Sequence, residues 1–136
     1  MSGSNYTVVF DGGSKGNPGP GYGSYALYAG STLLFMRQKQ VFGDHLTSNE
    51  AEYQALAAAL EELLYIIRAK GDAPSACSVD VRGDSQLVIL QLSGAWKARD
   101  GRMRARRDAI LALARSFKSV TYTHQDRSRS FALFHH

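Results

Sequence analysis

The sequence predicts an α/β domain in which a five-stranded mixed sheet is flanked by helices. Two observations predict it: the elements follow in the order β-β-β-α-β-α-α-β, and the first forty residues form an antiparallel meander. With 136 residues, of which 44% are apolar, the chain is long enough to bury a core of its own. We therefore expect one domain over residues 1–136.

The first strands follow from local composition. Residues 6–10 are β-branched and aromatic, which is typical of a strand. Residues 12–21 contain five glycines and two prolines and are predicted to form a loop. Strands over 22–30 and 32–41 then meet around Gly30, which completes the meander.

The clearest helix signal begins at Thr47. Thr47 and Glu50 have the spacing of a capping box, and Gly71 and Pro74 follow the predicted end near residue 69. The remaining predicted elements are a strand near 77–83, helices around 85–93 and 101–117, and a strand near 119–124 before an arginine-rich tail.

Basic residues are concentrated in one stretch of a chain whose net charge is +4. Such a cluster suits a polyanion such as nucleic acid, although it can equally be a solvated helix face. Trp96 lies beside them as either a core residue, which we favour, or a stacking contact. The cluster consists of Lys97, Arg99, Arg102, Arg104, Arg106 and Arg107.

Several classes of protein are disfavoured. No apolar run approaches the roughly 18 residues that a membrane span requires, and the first residues lack a secretion signal. The single Cys77 cannot form an internal disulfide and is predicted to be a small buried side chain. We therefore expect a cytoplasmic monomer without a membrane partner.

Three carboxylates occupy positions at which a charge contributes little to the stability of a globular domain: Asp11, Glu52 and Asp84. Asp11 and Asp84 each end a predicted strand, and Glu52 lies within a predicted helix. If these elements are neighbours, the three groups converge. Converging carboxylates repel one another unless a divalent cation neutralises them, and oxygen ligands suit Mg²⁺ or Mn²⁺.

Each carboxylate also has an ordinary structural explanation. Asp11 precedes glycine and can form a turn, and Asp84 stands at a normal N-cap position. Glu52 is harder to explain, because an ionised group on a buried face costs several kcal/mol unless it is paired or bound to metal. It heads a helical face that continues with Leu56, Leu60, Leu63 and Ile67.

Three segments resemble the signature segments of the type 1 ribonuclease H family, in order and at similar spacing. They are DGGSKGNPGPG at 11–21, TSNEAEY at 47–53 and GDSQ at 83–86. The resemblance implies the ribonuclease H-like fold, with strands one to three antiparallel. It also implies an endonuclease that cleaves the RNA strand of RNA·DNA hybrids with two Mg²⁺ or Mn²⁺ ions, leaving 5′-phosphate and 3′-hydroxyl ends.

The resemblance also assigns roles. Asp11, Glu52 and Asp84 become catalytic metal ligands, and His124 aligns with a histidine that aids proton transfer or product release. Thr47 matches a position that holds a DNA-strand phosphate, and Ser48 falls where the family often has Asn. The complete set of implied substrate-binding residues is Gly12, Asn17, Thr47, Ser48, Asn49 and Gln86.

The chain departs from the family near its end. The family's fourth carboxylate, about ten residues after the histidine, corresponds to Phe134, and the C-terminal helix is predicted to be truncated or absent. His135, His136 or Asp126 could replace that ligand, or three carboxylates could suffice. A histidine ligand would favour Mn²⁺. The departure leaves a second function open: a module that binds hybrid or double-stranded RNA with impaired catalysis.

Overall fold

The computed structural model describes residues 4–135 and contains the predicted elements in the predicted order, followed by one more helix. The strands are β1 (Asn5–Ser14), β2 (Gly19–Ala29), β3 (Thr32–Leu46), β4 (Ser78–Gly83) and β5 (Ser119–His124). The helices are α1 (Ser48–Ala69), α2 (Gln86–Ser93), α3 (Gly101–Ala114) and α4 (Arg127–Phe134). A single 3₁₀ turn, Pro74–Ala76, precedes β4.

The strands form one mixed sheet in the order β3-β2-β1-β4-β5. β1 pairs with β2, and β2 with β3, in antiparallel fashion, whereas β1 pairs in parallel with β4, and β4 with β5. The predicted five-stranded mixed sheet is confirmed. Because β1 and β4 run in the same direction, their carboxyl ends meet at one edge of the sheet.

Helix α1 covers one face of the sheet with the apolar stripe that its sequence predicts. The side chains of Leu56, Leu60, Leu63 and Ile67 are fully buried, together with Tyr6, Val8 and Phe10 of β1. Burying one such side chain stabilises the fold by about 1.5–3 kcal/mol. This contact fixes the rotation of α1, and so directs Glu52, at the head of the stripe, towards the sheet.

The predicted capping box at the start of α1 is confirmed. The Glu50 backbone N–H donates to Thr47 Oγ1, and the Thr47 N–H donates to Glu50 Oε1, both at 3.1 Å. Burial acts to raise the pKa of Glu50, but the hydrogen bond from Thr47 and the charge of Arg106 outweigh it, and the pKa is lowered. Arg106 Nε lies 3.5 Å from Glu50 Oε2 and Arg106 Nη1 donates to Gln54 at 2.7 Å, which joins α3 to α1.

The predicted loop over 12–21 is confirmed only for residues 15–18. Strand β1 continues to Ser14, and β2 begins at Gly19, with Gly12 paired to Gly23. The glycines serve close packing here: a Cβ on Gly12 would lie 2.6 Å from the Ala51 carbonyl carbon, and one on Gly23 would lie 2.7 Å from the Ala55 Cβ. Helix α1 can therefore lie directly against this hairpin.

The predicted C-terminal helix is truncated rather than absent. Helix α4 has eight residues, and its Phe134 is 1% exposed against Val9 and Ala26. Val9 alternates with Val8 and Phe10 along β1, so α4 packs on the face of the sheet opposite α1.

The burial of two single residues, Cys77 and Trp96, was also predicted from the sequence. Cys77 is buried, as predicted, and its thiol donates to the Ala73 carbonyl. Trp96 is 45% exposed, so the favoured prediction of a core residue is wrong. Among the described helices, none combines the length and the apolar character needed to cross a membrane.

Candidate metal centre and substrate cleft

The three predicted carboxylates meet at one point. Asp11, Glu52 and Asp84 each offer a carboxylate oxygen, and these atoms all lie within 4.8 Å of one another. Asp11 and Glu52 are buried and Asp84 is half-buried. They line a cleft of about 460 Å³.

The pairing of β1 with β4 positions the two aspartates. Phe10 is in register with Gly83, so Asp11 and Asp84 follow at the same edge. The Gly12 N–H donates to Asp11 Oδ1 at 2.9 Å. The alternative that Asp84 caps α2 is wrong: Ser85 is the N-cap, and its Oγ accepts from the Val88 N–H at 3.3 Å. Asp84 is thus available to the carboxylate cluster.

Glu52 reaches the cluster because α1 crosses β1 at Gly12, where side-chain bulk is missing. Its Oε2 atom is buried and has no hydrogen-bond partner among the described residues. A buried carboxylate oxygen without a partner is costly in free energy. This atom is the clearest local sign that a further group belongs in the cleft.

Burial and mutual repulsion raise the pKa values of two of these groups. Burial, followed by the nearby Asp84 charge, raises the pKa of Asp11 to about 6, against smaller lowering effects from the Gly12 hydrogen bond and Arg127. Burial and then the charges of Asp11 and Asp84 hold the pKa of Glu52 well above its usual range. A bound cation would reverse this balance, because it favours the ionised form of each ligand.

The donor set fits a hard divalent cation. All three side chains supply carboxylate oxygens, which is the chemistry of Mg²⁺ and Mn²⁺ sites. The unpartnered Glu52 Oε2 offers a ligand atom that nothing else in the described structure uses.

Among residues 4–135, the cluster gains no fourth acidic or histidine ligand. Asp126 precedes α4, where its Oδ2 accepts from the Ser128 hydroxyl at 2.6 Å, and His135 ends that helix; neither joins the group. His136 lies outside the described residues.

Phe134, the position that the resemblance assigns to the fourth carboxylate, does not line the cleft. Phe134 packs on the sheet, whereas the α4 side chains that line the cleft are Arg127 and Phe131. Helix α4 faces the carboxylates with these two residues because they are four positions apart and share one face.

The predicted substrate-binding residues lie at or beside the cleft. Gly12, Ser48 and Asn49 line it. Asn17 Oδ1 accepts from the Ser48 N–H at 2.9 Å, which ties the β1–β2 turn to the start of α1. Thr47 serves as the α1 cap, so its hydroxyl already accepts a hydrogen bond.

Gln86 and His124 do not line the carboxylate cleft. Gln86 is the exposed first residue of α2. His124 ends β5, and its Nε2 lies 3.2 Å from the Asp84 carbonyl oxygen. The histidine is thus next to the cleft through the backbone of a cluster residue, and its role stays a prediction.

Sequence reasoning missed six further cleft residues: Gly13, Ser14, Tyr22, Ser85, Arg127 and Phe131. Gly13 and Ser14 were hidden by the loop prediction, because they belong to β1 in an extended hairpin. Tyr22 was predicted to lie in a strand, and its strand partner Gly13 was not. A serine directly after Asp84 was the available signal for Ser85. Nothing in the sequence pointed to Phe131 as a cleft residue, because a phenylalanine usually predicts a packed apolar position.

The basic cluster divides into two parts. Three arginines are paired with acids of the protein itself: Arg106 Nε with Glu50, Arg107 Nη2 with Asp108 Oδ1 at 2.9 Å, and Arg102 Nε with Asp100 Oδ1 at 4.0 Å. Lys97, Arg99 and Arg104 are exposed and form no ion pair in the part of the chain that the structure describes. The exposed part remains available to a polyanion.

The fold and the carboxylate cluster together define a domain of the ribonuclease H-like class. Residues 10–132 match the family model described as "Reverse transcriptase-like". The ribonuclease HI of Halobacterium salinarum is 37% identical over 121 residues, which cover 89% of this chain and 56% of that protein. The chain therefore belongs to the type 1 ribonuclease H family.

Solved structures show the same fold. The RNase H1 structure from Halobacterium salinarum has a TM-score of 0.78 at 35% identity, over 92% of this chain and 88% of that chain. The N-terminal RNase H domain of Rv2228c from Mycobacterium tuberculosis has a TM-score of 0.80 at 31% identity, over 95% and 87%.

LC11-RNase H1, solved in complex with an RNA/DNA hybrid, has a TM-score of 0.81 at 27% identity, over 91% of this chain and 87% of that chain. Two of the full-length relatives are considerably longer than this chain. It spans 56% of the Halobacterium salinarum protein and 32% of the bifunctional protein Rv2228c.

Proposed function

We propose that this chain is an endonuclease that hydrolyses the RNA strand of RNA·DNA hybrids with two divalent cations, Mg²⁺ or Mn²⁺, and leaves 5′-phosphate and 3′-hydroxyl ends. One observation carries the proposal: three carboxylates converge within 4.8 Å, and one of their buried oxygens has no partner among the described residues. The hybrid bound to LC11-RNase H1, a protein of the same fold, supports the choice of substrate.

Asp11, Glu52 and Asp84 would hold the cations. Bound divalent cations supply an activated water and neutralise charge on a phosphate. The chain's own contribution is to hold three oxygens in place: the β1–β4 register fixes Asp11 and Asp84, and the α1 stripe fixes Glu52. His124, beside the Asp84 carbonyl, would move a proton or assist release of the product.

Polar side chains along the cleft would recognise the hybrid. Ser48 and Asn49 line the cleft, and Asn17 is held against the Ser48 backbone. Amides and hydroxyls of this kind can contact 2′-hydroxyl groups, which distinguish RNA from DNA. Gly12 leaves the backbone open to close approach, while Thr47 and Gln86 stand beside the cleft as further proposed contacts.

The proposal is tested by cleavage of labelled RNA·DNA hybrid, duplex RNA and duplex DNA, each with Mg²⁺, Mn²⁺ or EDTA. We expect cleavage of the hybrid's RNA strand with either metal and none in EDTA. Asp11→Asn should abolish cleavage while hybrid binding persists, and Asp72→Asn, at an exposed position after α1, should cleave like the wild type. Cleavage that persists in EDTA, or in Asp11→Asn, would contradict the proposal.

The three-membered cluster favours a second candidate function. A chain without a fourth carboxylate could bind hybrid or double-stranded RNA as a module with impaired catalysis. Wild-type protein that binds the hybrid but cleaves it with neither metal would establish this second function.

The choice of metal belongs to the same experiment. A preference for Mn²⁺ was expected if a histidine such as His135 served as a ligand. The described donors are all carboxylate oxygens, and His135 is not among them. We propose that both metals support cleavage. A cytoplasmic location, a monomeric state and a single domain over residues 1–136 stay predictions.

A further inference from the structure

Helix α4 presents a positive charge to the carboxylate cleft. Arg127, its first residue, and Phe131, one turn later, line the cleft with Asp11, Glu52 and Asp84. Phe134, two turns after Arg127, is buried on the sheet against Val9 and anchors the end of α4. The packing of α4 therefore fixes which of its side chains face the cleft.

The guanidinium of Arg127 is not paired with an acid in the described part of the chain. It is exposed, and it forms no ion pair within 4.0 Å among the described residues. Asp126, the adjacent acid, accepts from Ser128 instead. Within the cleft, Arg127 acts on Asp11 through space only, as a lowering influence on a pKa that burial and Asp84 raise.

A free guanidinium beside a carboxylate cluster suits one kind of ligand. The cluster binds cations, which Arg127 would repel, so Arg127 is unsuited to holding the metal. A guanidinium offers a planar fork of donors that fits two oxygens of one phosphate. Because Arg127 lines the same cleft as the carboxylates, a phosphodiester strand in that cleft can present a phosphate to this fork.

We propose that Arg127 binds a phosphate of the RNA strand next to the linkage that lies over the carboxylates. This inference rests on the proposed function and names a contact of the same cleft. Arg127 gives the cleft a permanent positive charge, whereas neutralisation of the three carboxylates depends on bound cations. Helix α4 would then contact the substrate through Arg127 instead of supplying a fourth metal ligand.

The experiment measures binding of a fluorescent RNA·DNA hybrid in EDTA, so that neither metal nor cleavage contributes. Loss of a charge-assisted contact, worth about 1.5–3 kcal/mol, should weaken binding by Arg127→Ala roughly tenfold or more. The slope of log K against log salt should become shallower by about 0.9 for the lost phosphate. Arg127→Lys should retain the salt slope and part of the affinity.

The matched control is Arg129→Ala. Arg129 is an exposed arginine of the same helix, but it lines a different hollow, with Val9 and Tyr28. The Arg129→Ala variant should change neither the affinity for the hybrid nor the salt slope. Equal losses in Arg127→Ala and Arg129→Ala would overturn the inference, because they would reflect overall charge. So would wild-type affinity in Arg127→Ala.

A parallel arm separates this inference from the proposed function. Wild-type cleavage of the hybrid with Mg²⁺, combined with unchanged binding by Arg127→Ala, would overturn the role of Arg127 alone. Wild-type protein that neither binds nor cleaves the hybrid would overturn both.

Discussion

Phe131 and Phe134 are three residues apart on α4 and have opposite environments. Phe131 is 58% exposed and lines the carboxylate cleft, whereas Phe134 is 1% exposed and packs on the sheet. Of these two positions, only position 131 places its side chain in the cleft. This relationship yields a pair of contrasting substitutions.

Phe131→Asp should add a fourth oxygen donor to the cleft. A further carboxylate raises the affinity for a hard cation, by roughly tenfold or about 1.4 kcal/mol. Titration calorimetry with Mg²⁺ and Mn²⁺ would measure the dissociation constants. Phe131→Asn is the control of equal size without charge, and an equal gain in both variants would show that a carboxylate at this position does not reach the ions.

Phe134→Asp should instead destabilise the protein. It removes an aromatic ring from a packed site, which alone costs about 3–5 kcal/mol, and leaves a charge facing Val9 and Ala26. Denaturant unfolding would measure the loss, with Phe131→Asn expected to stay close to wild type. A Phe134→Asp variant of wild-type stability and improved metal binding would return the fourth-ligand position to residue 134.

The metal-free protein should lose stability as the pH rises through about 6. The pKa of Asp11 is about 6 in the folded state and near 3.8 in the unfolded chain, so the folded state binds more protons between these values. The contribution is fully present below about pH 4 and is lost above about 6. Burial and the other carboxylates raise the pKa of Glu52 as well, which adds to the effect.

Melting temperatures of wild type and Asp11→Asn in EDTA, from pH 4 to pH 8, would test this pH dependence. The variant should become the more stable protein as the pH rises, because its side chain cannot ionise. Saturating Mg²⁺ should remove that advantage by stabilising only the wild type. A difference between the two proteins that does not change with pH would contradict the expected pKa of Asp11.

Gly12→Ala should disturb the metal centre through the backbone. Its Cβ would lie 2.6 Å from the Ala51 carbonyl carbon and 2.7 Å from the Glu52 nitrogen, so α1 would have to shift. We expect a destabilisation of about 1–3 kcal/mol, together with weaker binding of Mg²⁺ by calorimetry. Gly101→Ala is the control, because its Cβ meets only the Arg104 side chain, at 3.8 Å. Normal metal affinity in Gly12→Ala would refute this link between backbone packing and the site.

Arg106→Ala should destabilise the protein without involving the cleft. It leaves Glu50 buried without its cationic partner and removes the hydrogen bond to Gln54. The expected cost is about 1–3 kcal/mol, measured by denaturant unfolding. Arg104→Ala, at an exposed position two residues earlier on α3, should cost less than about 0.5 kcal/mol. Equal costs for the two variants would show that Arg106 contributes nothing specific.

The sequence predicted the parts of the fold in which local signals and tertiary packing agree. Helix α1 is the best example, since its capping box, its apolar stripe and its ending all correspond to the structure. The convergence of Asp11, Glu52 and Asp84 was predicted for the same reason, because each stands at the end or head of a well-marked element.

The errors arose where tertiary structure overrides a local preference. Glycines usually break strands, but here they permit α1 to approach the hairpin, which neither propensity nor spacing reveals. Asp84 and Ser85 are both good helix caps, and only the structure shows that Ser85 acts as one. The count of ten residues after His124 could not account for the packing that directs Phe134 to the sheet.

The continuation of β1 beyond Asp11 determines how the centre can adapt to ions of different radius. Asp11 lies within a strand that is paired on both sides of it, through Phe10 with Gly83 and through Gly12 with Gly23. Asp84 follows the last residue of β4 and so lies just outside the strand pairing, where its carbonyl oxygen is 3.2 Å from His124 Nε2. Replacing Mg²⁺ by the larger Ca²⁺ should therefore displace Asp84 and leave Asp11 in place, as crystals grown with each ion would reveal.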